Sequence, residues 1–311
     1  MYFPYLRGKQ FELIALRDLV VLPLNPEKII PIIEPVKKNV SSLRTALKVL
    51  SAGDIRVQLI VNPEYGELKV DREPIFTLIQ EFRDLGITSI IPTYLIKTDR
   101  DSAFAQQSIE QRGFNDSGYA LVHLNKTNDI QELSDFTKNT RCLFNTIQIN
   151  NLFGLKRKYN DRVLLSDNFN KQTKNTNYIA ITEEVFSSDY LDYPDEDCIA
   201  FSDYQTIGNG YTEGGGPAYA VAIHLTFKLE GDEDIRIAHF VSSSNDDTSD
   251  PARKYFEALG DLIRFVDEKN IPETIALKEF RRHYDQQAFS GLGVVKKLSI
   301  MHHIELIQGL I

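Results

Sequence analysis

The chain alternates between apolar runs of strand length and amphipathic segments of helix length. Its first module, residues 2–21 (YFPYLRGKQFELIALRDLVV), reads as a short extended run, a polar turn and an amphipathic helix. Seven more apolar runs follow, with polar residues at or near their ends, at residues 29–36, 57–63, 88–96, 119–125, 143–150, 162–168 and 198–204. Strands that alternate with helices predict a parallel sheet. Eight such units predict an α/β fold of the TIM-like (β/α)8 barrel type.

The segments between the runs carry apolar residues at helical spacing. Residues 11–21, 41–50 and 73–85 each place an apolar stripe on one face, which would pack on the barrel wall. Asp250 is a candidate N-cap for a long amphipathic helix that continues to about Glu268. We predict that this helix is the eighth helix of the barrel.

The alternation breaks around the eighth strand. Residues 169–197 are polar and acidic and predict an insertion before strand 8. Residues 208–216 contain five glycines, too many free dihedral angles for a rigid loop, and predict a mobile lid. Residues 218–243 alternate around a Gly-Asp turn and predict an added β-hairpin.

These patterns predict two domains. The first is the barrel, residues 1–270, with the insertion and the hairpin. The second is a C-terminal helical extension, residues 271–311, which is too apolar to stay free of contacts. We expect it either to dock over a barrel end or to pair with a protein partner or a second copy of the chain.

The composition narrows the classes of function. A net charge of −9 disfavours broad nucleic-acid binding, although a local basic pocket is compatible with it. Cys142 and Cys198 have no metal-ligand spacing and are too few for a disulfide framework, which favours a reducing cytoplasm. No run approaches the ~20 apolar residues that cross a bilayer, so we expect no membrane interaction.

Polar residues at the strand ends are the candidate site, because the C-terminal ends of barrel strands meet at one mouth. Arg7 and Lys9 would bind a carboxylate or a phosphate. Carboxylates at the ends of three strands would act as general bases or as ligands of Mg²⁺, and a histidine would carry a proton. The candidate catalytic residues are Glu34, His123, Asp167 and Asp203, and the candidate substrate-binding residues are Arg7, Lys9, Asn62 and Tyr204.

Each assignment has a structural alternative. Strand-end Asp, Asn and Ser residues also cap helices and support loops. Arg7 and Lys9 would equally form internal salt bridges with Glu12 or Glu34. A single histidine such as His123 is often a hydrogen-bonded structural residue. The sequence names no cofactor and no metal.

Five other histidines lie outside the barrel strands, and four of them fall into two pairs. A hairpin turn at Gly231-Asp232 places His224 directly opposite His239 on one face. The two imidazoles would either hold a transition metal or form a packed, hydrogen-bonded pair. His302 and His303 lie in the helical tail, and we expect them at the surface or at an interface.

Several segments resemble a known family. The opening YFPYLRGKQFELIAL, the runs IAFSDYQTIG, AYAVAIHLTF and HFVSSSNDD, and the closing FSGLGVVKKLSIMHHIEL look like the Beta protein family. Its members are poorly characterised bacterial proteins found near mobile elements and phage-defence genes. The resemblance implies a bacterial cytoplasmic setting and a role in conflict with phage. It supplies no catalytic residues.

Two hypotheses follow. The first is a barrel enzyme, or a degenerate enzyme, that acts on or binds a small anionic or phosphorylated ligand at the C-terminal mouth. The second is a non-catalytic interaction module of a defence or mobile-element system. Exposure of the apolar tail residues would favour the second hypothesis; these are Val294, Val295, Leu298, Ile304 and Ile307.

Overall fold

A computed structural model describes residues 1–21, 24–214 and 218–311. Eight parallel strands form one sheet in the order β1-β2-β3-β4-β5-β6-β7-β9. Their bounds are β1 Tyr5–Leu6, β2 Ile32–Ile33, β3 Val57–Ile60, β4 Ile90–Ile96, β5 Tyr119–His123, β6 Cys142–Gln148, β7 Arg162–Ser166 and β9 Ala200–Asp203. The N–H of Phe3 donates to the carbonyl of Phe201 at 2.8 Å, which joins the first strand segment to the last. The predicted (β/α)8 barrel is confirmed.

Helices follow the strands at the predicted places. They are α1 Gln10–Val21, α2 Ser41–Ala52, α3 Glu73–Asp84, α4 Asp99–Gln111, α5 Phe114–Ser117, α6 Ile130–Lys138, α7 Ile149–Leu155, α8 Asp189–Asp192, α9 Pro251–Glu268, α10 Ile275–Gln286 and α11 Leu292–Leu310. Short 3-10 helices cover Glu67–Lys69, Asn175–Ala180 and Gln205–Ile207. Asp250 caps α9 as predicted, because its side chain accepts the N–H of Arg253 at 3.0 Å.

Strand side chains alternate between two cores. Tyr5, Ile32 and Leu165 pack inside the barrel, whereas their neighbours in sequence pack outward against the helices. Because the side-chain period of a strand is two, the next inward positions at these strand ends are Arg7, Glu34 and Asp167. His123 and Asp203 fall on the outward positions. This alternation decides which strand-end residues reach the mouth.

The insertion and the hairpin together form a second sheet. Its strands are β8 Glu183–Ser187, β10 Ala222–Phe227 and β11 Ile235–Val241, paired antiparallel in the order β10-β11-β8. The insertion before strand 8 therefore contributes an edge strand to the hairpin. His224 pairs with His239 in the register that the sequence predicts.

The prediction that α9 is the eighth barrel helix is wrong. The apolar face of α9 packs against β10, β11 and α10, and α11 packs along α1. The ion pair of Lys297 with Asp18, at 2.8 Å, joins these last two helices. The small sheet covers the apolar face of α9. The more apolar helix α11 therefore occupies the position beside α1.

The C-terminal segment thus docks on its own chain. Val295, Leu298, Ile304 and Ile307 are buried, and Val294 is half-buried. The exposed apolar surface that would favour the interaction-module hypothesis is therefore not found at these positions. A domain boundary at residues 270–271 stays a prediction. Within the described ranges, no helix combines the length and the apolar character that a bilayer span requires.

Candidate functional site

Arg7 and Glu34 form an ion pair at the C-terminal mouth of the barrel. They follow neighbouring strands β1 and β2, and Glu34 is completely buried. Glu34 also accepts the Tyr5 hydroxyl at 2.8 Å and the N–H of Glu64 at 2.7 Å. Arg7 therefore takes the internal salt bridge that the sequence left open as an alternative.

Three tyrosines surround the guanidinium of Arg7. Its central carbon lies 5.0 Å from the ring centroid of Tyr5, 5.1 Å from that of Tyr65 and 5.3 Å from that of Tyr204. Contacts of this kind between a cation and an aromatic face are attractive, and more so when water is excluded. Tyr204, a predicted ligand-binding residue, is thus part of the cage around Arg7.

The described part of the glycine loop, residues 208–214, lies over the mouth and the adjoining surface. Its carbonyls accept from Arg7 Nη2 at 2.6 Å (Asn209), Lys171 Nζ at 2.9 Å (Gly210) and Lys9 Nζ at 2.7 Å (Thr212). Tyr211 stacks on Tyr65 with ring centroids 4.9 Å apart. Of the predicted lid, residues 208–216, Gly215 and Gly216 lie outside the described residues.

A large cavity lies beside the mouth. It has a volume of about 1020 Å³ and is bounded by the start of α1, the glycine loop, the insertion, β10 and the start of α11. Lys9, Lys171 and Lys296 all line it. Lys9 and Lys171 bind loop carbonyls rather than carboxylates, and no described residue accepts a hydrogen bond from Lys296.

Lys296 lies close enough to Lys9 and Lys171 to disfavour their charged forms. Burial, and then repulsion from Lys296, lowers the pKa of Lys171; burial also lowers the pKa of Lys9, although the nearby Glu12 opposes this. Repulsion among cations that are close together disfavours the charged form of each. An anion bound among them would relieve this repulsion, so the cavity suits a phosphate or a carboxylate.

Glu12, in the first turn of α1, lines the same cavity. Its side chain is 1% exposed, and burial raises its pKa. Oε2 accepts the backbone N–H of Lys9 at 3.3 Å, whereas Oε1 has no hydrogen-bond partner among the described residues. Sequence reasoning named Glu12 only as a salt-bridge partner. Glu12 lies between apolar residues of α1, and this position in the sequence could have indicated that its side chain is buried.

The structure also accounts for Asn62 and Asp167. Asn62 lies between β3 and β4, donating to the carbonyl of Leu95 at 2.9 Å and accepting its N–H at 2.8 Å. Both the oxygen and the nitrogen of the amide are hydrogen-bonded to the backbone, so Asn62 has a structural role. Asp167 lies at the rim and accepts the N–H of Asn209 at 3.2 Å, and partial desolvation raises its pKa.

The prediction that Asp203 and His123 converge on the mouth is wrong, because both occupy outward positions. Asp203 accepts the hydroxyl of Tyr2 at 2.7 Å and lies 3.1 Å from Nε2 of His303 on α11. His123 lies 3.2 Å from Oδ1 of Asn145, and burial lowers its pKa to about 4. It is therefore a neutral structural imidazole at neutral pH.

The tail histidines are buried, which corrects the expectation of a surface position. His302 contacts the hydroxyl of Thr274 at 2.8 Å and the carbonyl of Thr226 at 2.7 Å. His303 contacts the hydroxyl of Thr226 at 3.0 Å, in addition to Asp203. Hydrogen bonds on both rings satisfy both nitrogens, so these side chains fix α11 to the barrel and to β10.

The hairpin histidines form a hydrogen-bonded pair. Nδ1 of His224 lies 2.8 Å from Nδ1 of His239, and Nε2 of His239 lies 3.2 Å from Glu184. Burial, followed by repulsion from His239, lowers the pKa of His224 to about 3. In the part of the chain that the structure describes, no group of three or more His, Cys, Asp or Glu side chains is arranged to hold a metal ion.

No family model matches this sequence, and a search of curated proteins found no match to it.

Proposed function

We propose that this protein binds a small anionic, phosphorylated ligand in the cavity beside the C-terminal barrel mouth, as an enzyme or as a degenerate enzyme. Lys9, Lys171 and Lys296 hold the anion, and the glycine loop covers it. Arg7 and Glu34 shape the adjoining mouth, and Arg7 anchors the loop. Asp167 at the rim and Glu12 in the cavity are the groups placed to exchange protons with a ligand.

One observation carries this proposal. The ammonium groups of Lys9 and Lys171 bind backbone carbonyls of a glycine-rich loop, although the chain as a whole carries a net charge of −9. A carbonyl is a weaker partner for a cation than an anion is, since hydrogen bonds between two charged groups are stronger. A phosphate can therefore replace the loop carbonyls at a gain in free energy.

Isothermal titration with pyrophosphate tests the proposal. We expect binding to the wild type, and an affinity about tenfold lower in Lys171→Gln and in Lys296→Gln, since a charge-assisted hydrogen bond contributes about 1.5–3 kcal/mol. Lys278→Gln is the matched control, because Lys278 is exposed on α10 and does not line the cavity. The proposal fails if pyrophosphate does not bind, or if all three variants bind it as the wild type does.

The proposal includes a setting for this function, namely the bacterial cytoplasm and a role in conflict with phage. It rests on the resemblance of the segments quoted above to the Beta protein family. A phosphorylated small molecule is compatible with that setting.

A further inference from the structure

Glu12 lines the cavity, and its carboxylate has one unsatisfied acceptor. The side chain is buried, and one oxygen is held by the backbone N–H of Lys9. The other oxygen, Oε1, has no partner among the described residues. An unpaired polar atom in a buried position costs free energy, so a native site with such an atom points to a group that completes it. For Oε1 the missing partner is an N–H or O–H donor.

Aromatic side chains line the same cavity as Glu12. Phe169, Tyr178, Tyr211 and His224 line the cavity together with Glu12. The ring centroid of His224 lies 5.0 Å from that of Phe169 and 4.6 Å from that of Tyr178, and both pairs of rings meet edge to face. Aromatic side chains that line a cavity favour a planar ring, by stacking or by edge-to-face contact.

The cavity thus combines three features that a single ligand has to match. It offers lysines for an anion, aromatic walls for a planar ring, and one buried acceptor for a donor on that ring. Its volume of about 1020 Å³ is at the upper end of the roughly 300–1,000 Å³ of small-molecule sites, which is ample for a ring joined to a phosphate. Nucleotides whose base carries an exocyclic amine have all three features.

We propose that the ligand of this cavity is a nucleoside phosphate whose base donates its exocyclic amine to Oε1 of Glu12, while Lys9, Lys171 and Lys296 hold the phosphate. This inference rests on the proposed function and adds the class of the ligand. Glu12 is the residue that selects the base. The lysines supply affinity for any phosphate.

Two comparisons in isothermal titration test the inference. The first uses the wild type with AMP, CMP and GMP against ribose 5-phosphate, and adds purine riboside 5′-monophosphate as the amine-free counterpart of AMP. We expect at least one amine-bearing nucleotide to bind about tenfold or more tightly than ribose 5-phosphate, as a buried hydrogen bond to a charged group predicts. If adenine is the preferred base, purine riboside 5′-monophosphate loses that advantage.

The second comparison uses Glu12→Gln, with Glu132→Gln on the exposed face of α6 as the matched control. The amide oxygen of glutamine keeps the bond to the Lys9 N–H and turns an NH₂ group toward the ligand. Two donors then face each other. We expect the preference for the nucleotide to disappear in Glu12→Gln and to persist in Glu132→Gln, with the affinity for ribose 5-phosphate unchanged in both.

The outcomes separate this inference from the proposed function. Equal binding of ribose 5-phosphate and all three nucleotides by the wild type overturns the inference, and so does a preference that survives in Glu12→Gln. In both cases binding of pyrophosphate still supports an anion site. If neither pyrophosphate nor any nucleotide binds, both proposals fail. The wild-type comparison decides the inference even if Glu12→Gln does not fold.

Discussion

Arg7 and Glu34 neutralise each other at the ends of neighbouring barrel strands, with Glu34 completely buried. The pair is tied to three parts of the chain through Tyr5, the N–H of Glu64 and the carbonyl of Asn209. It therefore holds the mouth together.

Removing one member of this pair should destabilise the fold strongly. Arg7→Gln leaves the buried carboxylate of Glu34 without its cation, and breaking a buried pair in this way costs about 3–5 kcal/mol. Urea unfolding measures the loss. Arg44→Gln is the control, since the Arg44–Glu81 pair is exposed and should contribute less than about 1 kcal/mol. Equal losses in the two variants would show that the Arg7–Glu34 pair has no special structural role.

Buried imidazoles should make the protein less stable in mild acid. Burial lowers the pKa of His123 and of His302 from 6.5 to about 4, so the unfolded chain binds more protons than the folded one between these values. The stabilisation is complete above pH 6.5 and decreases as the pH falls toward 4. Between pH 7.5 and pH 5 we expect each imidazole to remove about 2 kcal/mol from the free energy of unfolding.

Urea unfolding of the wild type and of His123→Phe at these two pH values checks this expectation. Phenylalanine keeps a ring against Tyr159, whose centroid lies 4.2 Å from that of His123, and cannot be protonated. The variant should show the smaller difference between the two pH values, whatever its stability at pH 7.5. The same pH dependence in both proteins would contradict the assignment of His123 as a neutral buried residue.

Asn62 should matter for folding and not for ligand binding. Asn62→Leu leaves the N–H and the carbonyl of Leu95 unpaired inside the protein, at about 1–3 kcal/mol for each group. Asn125→Leu is the control, because Asn125 is an exposed amide just past the end of β5. The affinity for pyrophosphate should stay at the wild-type value in both variants. A selective loss of affinity in Asn62→Leu would restore Asn62 as a binding residue.

The stack of Tyr211 on Tyr65 should keep the glycine loop closed. An aromatic pair of this type contributes about 0.5–1.5 kcal/mol, so Tyr211→Ala should accelerate amide hydrogen exchange in residues 208–214 by about two- to tenfold. Tyr284→Ala on α10, a partly exposed tyrosine away from the loop, serves as the control. Unchanged exchange in Tyr211→Ala would show that the lysine contacts alone hold the loop.

The barrel could be predicted from the sequence because each strand is a compact apolar run between polar turns. The register of His224 with His239 followed in the same way from one turn at Gly231-Asp232. Local patterns fix both features.

The composition of the site could be predicted only in part. The strand-end rule gave Arg7, Glu34 and Asp167 correctly as mouth residues, but it does not distinguish inward from outward positions when strand ends are uncertain by one residue. Asp203 and His123 were misplaced for that reason. Lys171 and Lys296 lie in an insertion and in a tail helix, and only the tertiary fold brings them next to Lys9.

The identity of the eighth barrel helix also could not be predicted from local sequence patterns. Both α9 and α11 have enough apolar residues to cover a barrel wall, and the sequence order favoured α9. The small sheet takes up the face of α9, and this sheet exists only because β8 joins the hairpin.

Strand β8 covers one edge of β11, although the barrel strand β9 separates the two along the chain. Excising residues 169–197 to obtain a minimal barrel would expose the N–H and C=O groups of that edge. Bare strand edges recruit strands from other molecules, so such a trimmed protein would aggregate. Protein engineering on this scaffold has to keep or remove residues 169–197 and 218–243 together.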